Sequence, residues 1–76
     1  MMTPDDLRSA REALGLTGDK LARIAQSNAR TVRRWEAGDR EIPGPMRALV
    51  EALMSSRAVR RHFGVAVEGD STPKNG

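Results

Sequence analysis

The chain has 76 residues, with 13 Lys or Arg, 10 Asp or Glu and a formal net charge of +3. This length allows one small core, and the absence of Cys excludes a disulfide framework and a thiolate metal site. The single His cannot hold a metal alone, and neither a signal peptide nor a run of about 18 apolar residues is present. We therefore expect a cytoplasmic protein without metal or cofactor, whose basic charge suits a polyanionic partner.

The first predicted helix begins directly after Thr3. Thr3 is suited to cap this helix, Pro4 to occupy its first position, and Asp6 to complete a capping box. Side chains at three- and four-residue spacing then form one inward face, and Gly15 ends the helix. This face consists of Leu7, Ala10, Arg11 and Leu14.

Two short helices follow, separated by only three polar residues. The second is predicted over residues 18–25 with Thr17 as its N-cap. The third is predicted over residues 29–37, with Asn28 as its N-cap and Gly38 after its last turn. Two short helices joined by a tight turn have the outline of a helix-turn-helix motif.

Two further helices are predicted beyond a loop over residues 39–45. Pro45 is suited to the first position of the fourth helix, and residues 56–63 form the fifth. The fourth helix has a regular apolar stripe, formed by Met46, Leu49, Val50, Leu53 and Met54. The pattern predicts an all-α fold, a compact bundle of four to five short helices.

The C-terminal part of the chain differs in composition from the rest. Residues 63–67 show the only β-type alternation, which makes them a candidate for pairing with a second copy in a dimer. Residues 68–76 are polar and rich in Gly and Pro, so we expect a disordered tail. One domain over residues 1–67 is therefore predicted to precede this tail.

The third helix has two contrasting sides. At about 3.6 residues per turn, Val32 and Trp35 share an inward side, while Arg30, Arg33 and Arg34 lie opposite. Arginine binds the O6 and N7 atoms of guanine with two hydrogen bonds, and a single helix fits the major groove of DNA. A solvated basic surface has the same pattern, so the arginines alone leave both interpretations open.

The segment from Leu14 to Pro45, LGLTGDKLARIAQSNARTVRRWEAGDREIPGP, resembles the helix-turn-helix of the Cro and C1 repressor family, also called the XRE family. The resemblance is carried by Leu14 to Thr17, by Leu21 with Ala22, and by Thr31, Val32, Trp35, Glu36 and Gly38. It implies a lambda-repressor-like fold, a motif at about residues 17–38 and sequence-specific binding of double-stranded DNA. Gln26 departs from the family pattern, which usually has Gly there, and Ser27 replaces an apolar residue.

The resemblance also implies roles for individual residues. The expected base-reading residues are Ala29, Arg30, Arg33 and Arg34. The expected phosphate contacts are Gly18, Asp19, Lys20, Arg23, Asn28 and Arg40. Arg11 of the first helix is expected to pair with Glu36 of the third as a structural ion pair.

The function that follows is that of a transcriptional regulator, most simply a repressor. It would bind an inverted-repeat operator as a homodimer, with the third helix in the major groove. The alternative is an antitoxin of the same family, which would bind its own promoter and also mask a toxin. An enzyme finds no support, because no nucleophile stands beside a plausible base and no glycine-rich phosphate loop is present.

Overall fold

A computed structural model of the chain describes residues 2–66, and within that range all regular structure is α-helical. The five helices are α1 (Pro4–Ala13), α2 (Gly18–Ile24), α3 (Ala29–Ala37), α4 (Gly44–Ser55) and α5 (Arg57–His62). This arrangement confirms the predicted all-α fold.

Hydrogen-bonded side-chain caps begin four of the five helices. At α1, Thr3 Oγ1 accepts from the backbone nitrogen of Asp6 at 3.0 Å, and Asp6 Oδ2 accepts from the backbone nitrogen of Thr3 at 2.9 Å. Thr17, Asn28 and Ser56 cap α2, α3 and α5 in the same manner, each accepting from a backbone N–H three residues later. These caps satisfy N–H groups that have no partner inside a helix, so they determine where each helix starts.

Helix α4 begins one residue earlier than predicted. Gly44 is its first residue and Pro45 its second, while Pro43 occupies the N-cap with extended backbone angles. Pro43 offers no side-chain hydrogen bond as a cap. Two prolines fix the backbone of this first turn instead, and the nitrogen of Pro45 carries no hydrogen that would need a partner.

One apolar core joins the helices. Its fully buried side chains come from α1, α2, α3 and α4, and are Leu7, Leu21, Val32, Val50 and Leu53. Trp35 is only 7% exposed and belongs to this core, where its ring supplies a large apolar surface. The inward side of α3 is therefore held by contacts with the other helices.

The chain after α5 turns back onto the core. Val65 is 7% exposed, and its backbone nitrogen donates to the carbonyl oxygen of Arg60 at 2.8 Å. Phe63 stays 38% exposed at the end of α5. The predicted pairing of residues 63–67 with a second copy stays a prediction, while within its own chain Val65 packs in the core. Val67 and the predicted tail at 68–76 lie outside the described residues.

Candidate DNA-binding surface

The turn between α2 and α3 brings the two helices close together. The backbone nitrogen of Ser27 donates to the carbonyl oxygen of Ala22 at 2.7 Å, and Ala22 is 3% exposed. Gln26 has a φ of 56°, which lies in the left-handed region. This is the position where the family pattern has Gly, so the turn keeps a geometry that favours Gly although a larger residue occupies it.

Helix α3 presents a basic surface to solvent. Arg30, Arg33 and Arg34 are exposed, and Ala29 is half-buried at the first turn. Val32 on the opposite side is only 1% exposed. The exposed side of α3 is therefore cationic, while its inward side is fixed in the core. We call Arg30, Arg33 and Arg34 the arginine surface of α3.

Both ends of α3 are fixed by hydrogen bonds. Asn28 Oδ1 accepts from the backbone nitrogen of Thr31 at 2.9 Å, which caps the first turn. At the other end, Gly38 has a φ of 82°, and the nitrogen of Asp39 donates to the carbonyl oxygen of Arg34 at 2.9 Å. A left-handed residue followed by this bond is a Schellman motif, which stops the helix at a defined residue.

An ion pair links α3 to α1. Arg11 Nε donates to Glu36 Oε2 at 2.7 Å, and Arg11 Nη2 donates to Glu36 Oε1 at 3.2 Å. Arg11 Nη1 donates in addition to the carbonyl oxygen of Leu16 at 3.0 Å. The hydrogen bonds with Glu36 raise the pKa of the Arg11 guanidinium above its usual range. One arginine thus joins α1, the loop that follows it and the last turn of α3.

A cleft between α2 and α3 collects several of the predicted DNA contacts. Its volume is about 220 Å³. The predicted contact residues in its wall are Gly18, Asp19, Ala29 and Arg33. The ion pair of Arg11 and Glu36 forms part of the same wall, so it supports the cleft as well as the helix.

The other predicted phosphate contacts lie elsewhere. Lys20 and Arg23 line a second cleft, of about 200 Å³, together with Leu16, Ile24 and residues 63–65. Arg40 is exposed in the loop after α3. The structure therefore does not gather the six predicted phosphate contacts into one cleft.

One relevant contact was missed by the sequence analysis. Thr31 Oγ1 donates to Asn28 Oδ1 at 3.0 Å, in addition to the bond that the Thr31 backbone makes to the same oxygen. The signal for this contact was available in the sequence, because the two residues stand three apart at the start of a helix. Their spacing predicts the backbone cap, but the hydroxyl bond depends on the side-chain rotamer as well.

No group of three or more His, Cys, Asp or Glu side chains within residues 2–66 is placed to hold a metal ion. None of the helices described there is long and apolar enough to cross a membrane.

The arrangement of α2, the tight turn and α3 within five helices defines a helix-turn-helix domain. Comparison with known families agrees, since a family model described as helix-turn-helix matches residues 7–49, more than half of the chain. The chain belongs to the Cro/C1-type helix-turn-helix family, also called the XRE family, whose members are DNA-binding regulators. No match is found among curated proteins or among solved structures.

Proposed function

We propose that this protein is a cytoplasmic transcriptional repressor that reads a specific double-stranded DNA site as a homodimer, with α3 in the major groove. The observation that carries the proposal is the exposed arginine surface of α3, opposite the buried Val32 and Trp35. A helix held on one side and cationic on the other can enter the groove without losing its place in the fold.

Arg30 and Arg34 are the proposed base readers. They stand four residues apart, so they project from one side of α3 and reach neighbouring base pairs. Each bidentate pair between Arg and guanine contributes about 1–3 kcal/mol of discrimination. Arg33 lines the cleft beside α2 and is proposed to read a base or bind a phosphate. Ala29 offers a small apolar contact for a thymine methyl group.

The proposed phosphate contacts set the register of the domain on the duplex. Backbone N–H groups of Gly18 and Asp19 begin α2 beside the cleft, and N–H groups at a helix start lack partners inside the helix. Asn28 contributes its side-chain amide at the start of α3. The charged residues Lys20, Arg23 and Arg40 would contact phosphates farther along the backbone.

A homodimer follows from the small number of bases that one helix reaches. A single copy of α3 touches too few base pairs for strong selectivity, whereas two copies related by a twofold axis read both halves of an inverted repeat. The half-sites would lie about 34–36 Å apart, one helical turn of DNA. A recovered site with this symmetry and spacing would support the dimer.

The direct test is selection of bound sites from random-sequence duplexes, followed by affinity measurements on the enriched site. We expect Arg30→Ala and Arg34→Ala to abolish selective binding while the helical content stays unchanged. Arg61→Ala is the matched control, because it removes the same charge from an exposed position on α5. Parent-like selectivity in both α3 variants would refute the assignment of the recognition helix.

Salt dependence provides an independent test of DNA binding. Each phosphate contact by Lys or Arg releases about one condensed counterion, so the affinity should fall steeply as salt is raised. An affinity that does not change with salt would contradict the proposed function.

A further inference from the structure

We propose that Thr31 is a positioning residue for DNA binding: its hydroxyl group holds the side-chain amide of Asn28 so that Nδ2 points outward and donates to a backbone phosphate. This inference rests on the proposed function, because it takes the start of α3 to face the DNA. It assigns a task to a residue that is neither a base reader nor a phosphate contact.

The two contacts to Asn28 determine which way its amide faces. Asn28 Oδ1 lies 2.9 Å from the backbone nitrogen of Thr31 and 3.0 Å from Thr31 Oγ1. A backbone N–H group can only donate, so the amide atom that faces it must be the carbonyl oxygen. The Nδ2 group is therefore on the side of the amide that faces away from Thr31.

The hydroxyl bond is not needed for capping alone. At α2, the donor to Thr17 among the described residues is the backbone nitrogen of Lys20 alone, and the lysine side chain has no hydroxyl to add. At α5, Ser56 accepts in the same way from Val59. Among these caps, the one at α3 has a second donor, and its effect is to restrain the rotation of the amide.

The exposure of Asn28 and Thr31 agrees with a role of Asn28 in contacting DNA and a role of Thr31 in orienting Asn28. Asn28 is exposed and stands directly before the arginine surface, whereas Thr31 is half-buried. The one hydrogen of the Thr31 hydroxyl is already donated to Asn28. A donor held in its binding orientation loses less conformational entropy when the phosphate arrives, so the restraint increases affinity.

The test compares Thr31→Val with Thr31→Ser in the full chain, using a mixed-sequence DNA duplex at low salt. Val retains the shape and backbone N–H of Thr but lacks the hydroxyl. We expect Thr31→Val to weaken binding about three- to tenfold, the entropy cost of immobilising one side chain when the phosphate binds, and Thr31→Ser to stay within about twofold of the parent. The salt slope should not change, because an uncharged amide releases no counterion.

A double-mutant cycle shows whether Thr31 acts through the amide. Asn28→Ser retains an oxygen that caps the helix but removes Nδ2. We expect Asn28→Ser to weaken binding by itself, and Thr31→Val to have no further effect in that background. If Thr31→Val does not fold, Thr31→Ala also removes the hydroxyl and takes its place in the cycle.

Several outcomes would overturn the inference. They are parent-like binding by Thr31→Val, parent-like binding by Asn28→Ser, or an equal loss from Thr31→Val in both backgrounds. A parent protein that binds no duplex would refute the proposed function itself. A parent that binds while Thr31→Val binds equally well would refute only the role of Thr31.

Discussion

Arg11 and Glu36 connect α1 to the last turn of α3 through two hydrogen bonds of 2.7 and 3.2 Å. The carboxylate stands near the C-terminus of α3, where the helix dipole disfavours a negative charge. Arg11 offsets this cost and ties the loop after α1 to the same point through Leu16. The direction in which α3 presents its arginine surface therefore depends on a pair in the wall of the cleft that Arg33 also lines.

Removing either Arg11 or Glu36 should lower the free energy of unfolding substantially. The side chains of Arg11 and Glu36 are 19% and 10% exposed, so Glu36→Ala leaves a largely covered guanidinium without its carboxylate. We expect a loss of about 3 kcal/mol in the free energy of unfolding, measured by urea denaturation. Arg8 is the matched control, because its Nε lies 3.8 Å from Glu36 and its side chain is 51% exposed. Arg8→Ala should change stability by less than about 0.5 kcal/mol, and equal losses would contradict this account.

Ala22 limits how closely α2 and α3 approach. Its side chain is 3% exposed, and its carbonyl oxygen closes the turn by accepting from Ser27. Ala22→Leu would insert three heavy atoms into a filled space, at a cost of about 1–3 kcal/mol or more, which a domain this small cannot sustain. We expect thermal melts followed by circular dichroism to lose their cooperative transition.

Ala25 provides the control for this substitution. It is half-buried and lines an open groove of about 480 Å³ beside Trp35 and Leu49. Ala25→Leu has room to place its side chain there, so the melting transition should be retained. If Ala22→Leu kept its melting transition and Ala25→Leu lost it, the space between α2 and α3 would not be what limits the side chain at position 22.

The starts of α1, α2 and α3 could be predicted from the sequence because each one depends on residues close together in the chain, whereas α4 and α5 each start one residue away from the prediction. Thr3 and Asp6 stand three residues apart. The same spacing separates Thr17 from Lys20, whose backbone N–H donates to the Thr17 hydroxyl oxygen. The two sides of α3 were predictable for a similar reason, since Val32 and Trp35 share an inward side by helical periodicity alone.

Contacts between distant parts of the chain could not be predicted in this way. Val65 fills a place in the core, although its alternation with its neighbours is typical of a strand. Lys20 and Arg23 line a cleft together with residues 63–65, which follow α5. No local sequence pattern indicates that these two parts of the chain lie side by side. The Nη1 group of Arg60 donates to the carbonyl oxygen of Leu53 at 2.6 Å, a contact that joins α5 to the end of α4.

Gln26 should be a site where a substitution stabilises the protein. Its φ of 56° costs a residue with a side chain about 1–2 kcal/mol, and Gly adopts this conformation without that cost. Gly has more conformational freedom than Gln in the unfolded chain, and this entropy offsets part of the gain. We therefore expect Gln26→Gly to raise the free energy of unfolding by about 1 kcal/mol or less. Gln26→Ala must adopt the same left-handed angle and should bring no gain. If Ala stabilised the domain as much as Gly, backbone strain would not be the cause.

The capping box of α1 should make stability depend on pH. The backbone N–H of Thr3, and then its hydroxyl group, interact with the Asp6 carboxylate and lower its pKa below the usual value. Because the folded-state pKa lies below the unfolded value of about 3.9, Asp6 stabilises the fold above that value. The contribution is lost as pH falls through the folded-state pKa.

Asp6→Asn isolates this effect from the other carboxylates, because it removes one titrating group and leaves the rest in place. At neutral pH we expect the parent to be more stable than Asp6→Asn, since an anion in the first turn also interacts favourably with the helix dipole. The difference should shrink as the pH is lowered from about 5 toward 2, measured by urea denaturation at each pH. A difference that stays constant over this range would show that the carboxylate of Asp6 gains nothing from its bonds to Thr3.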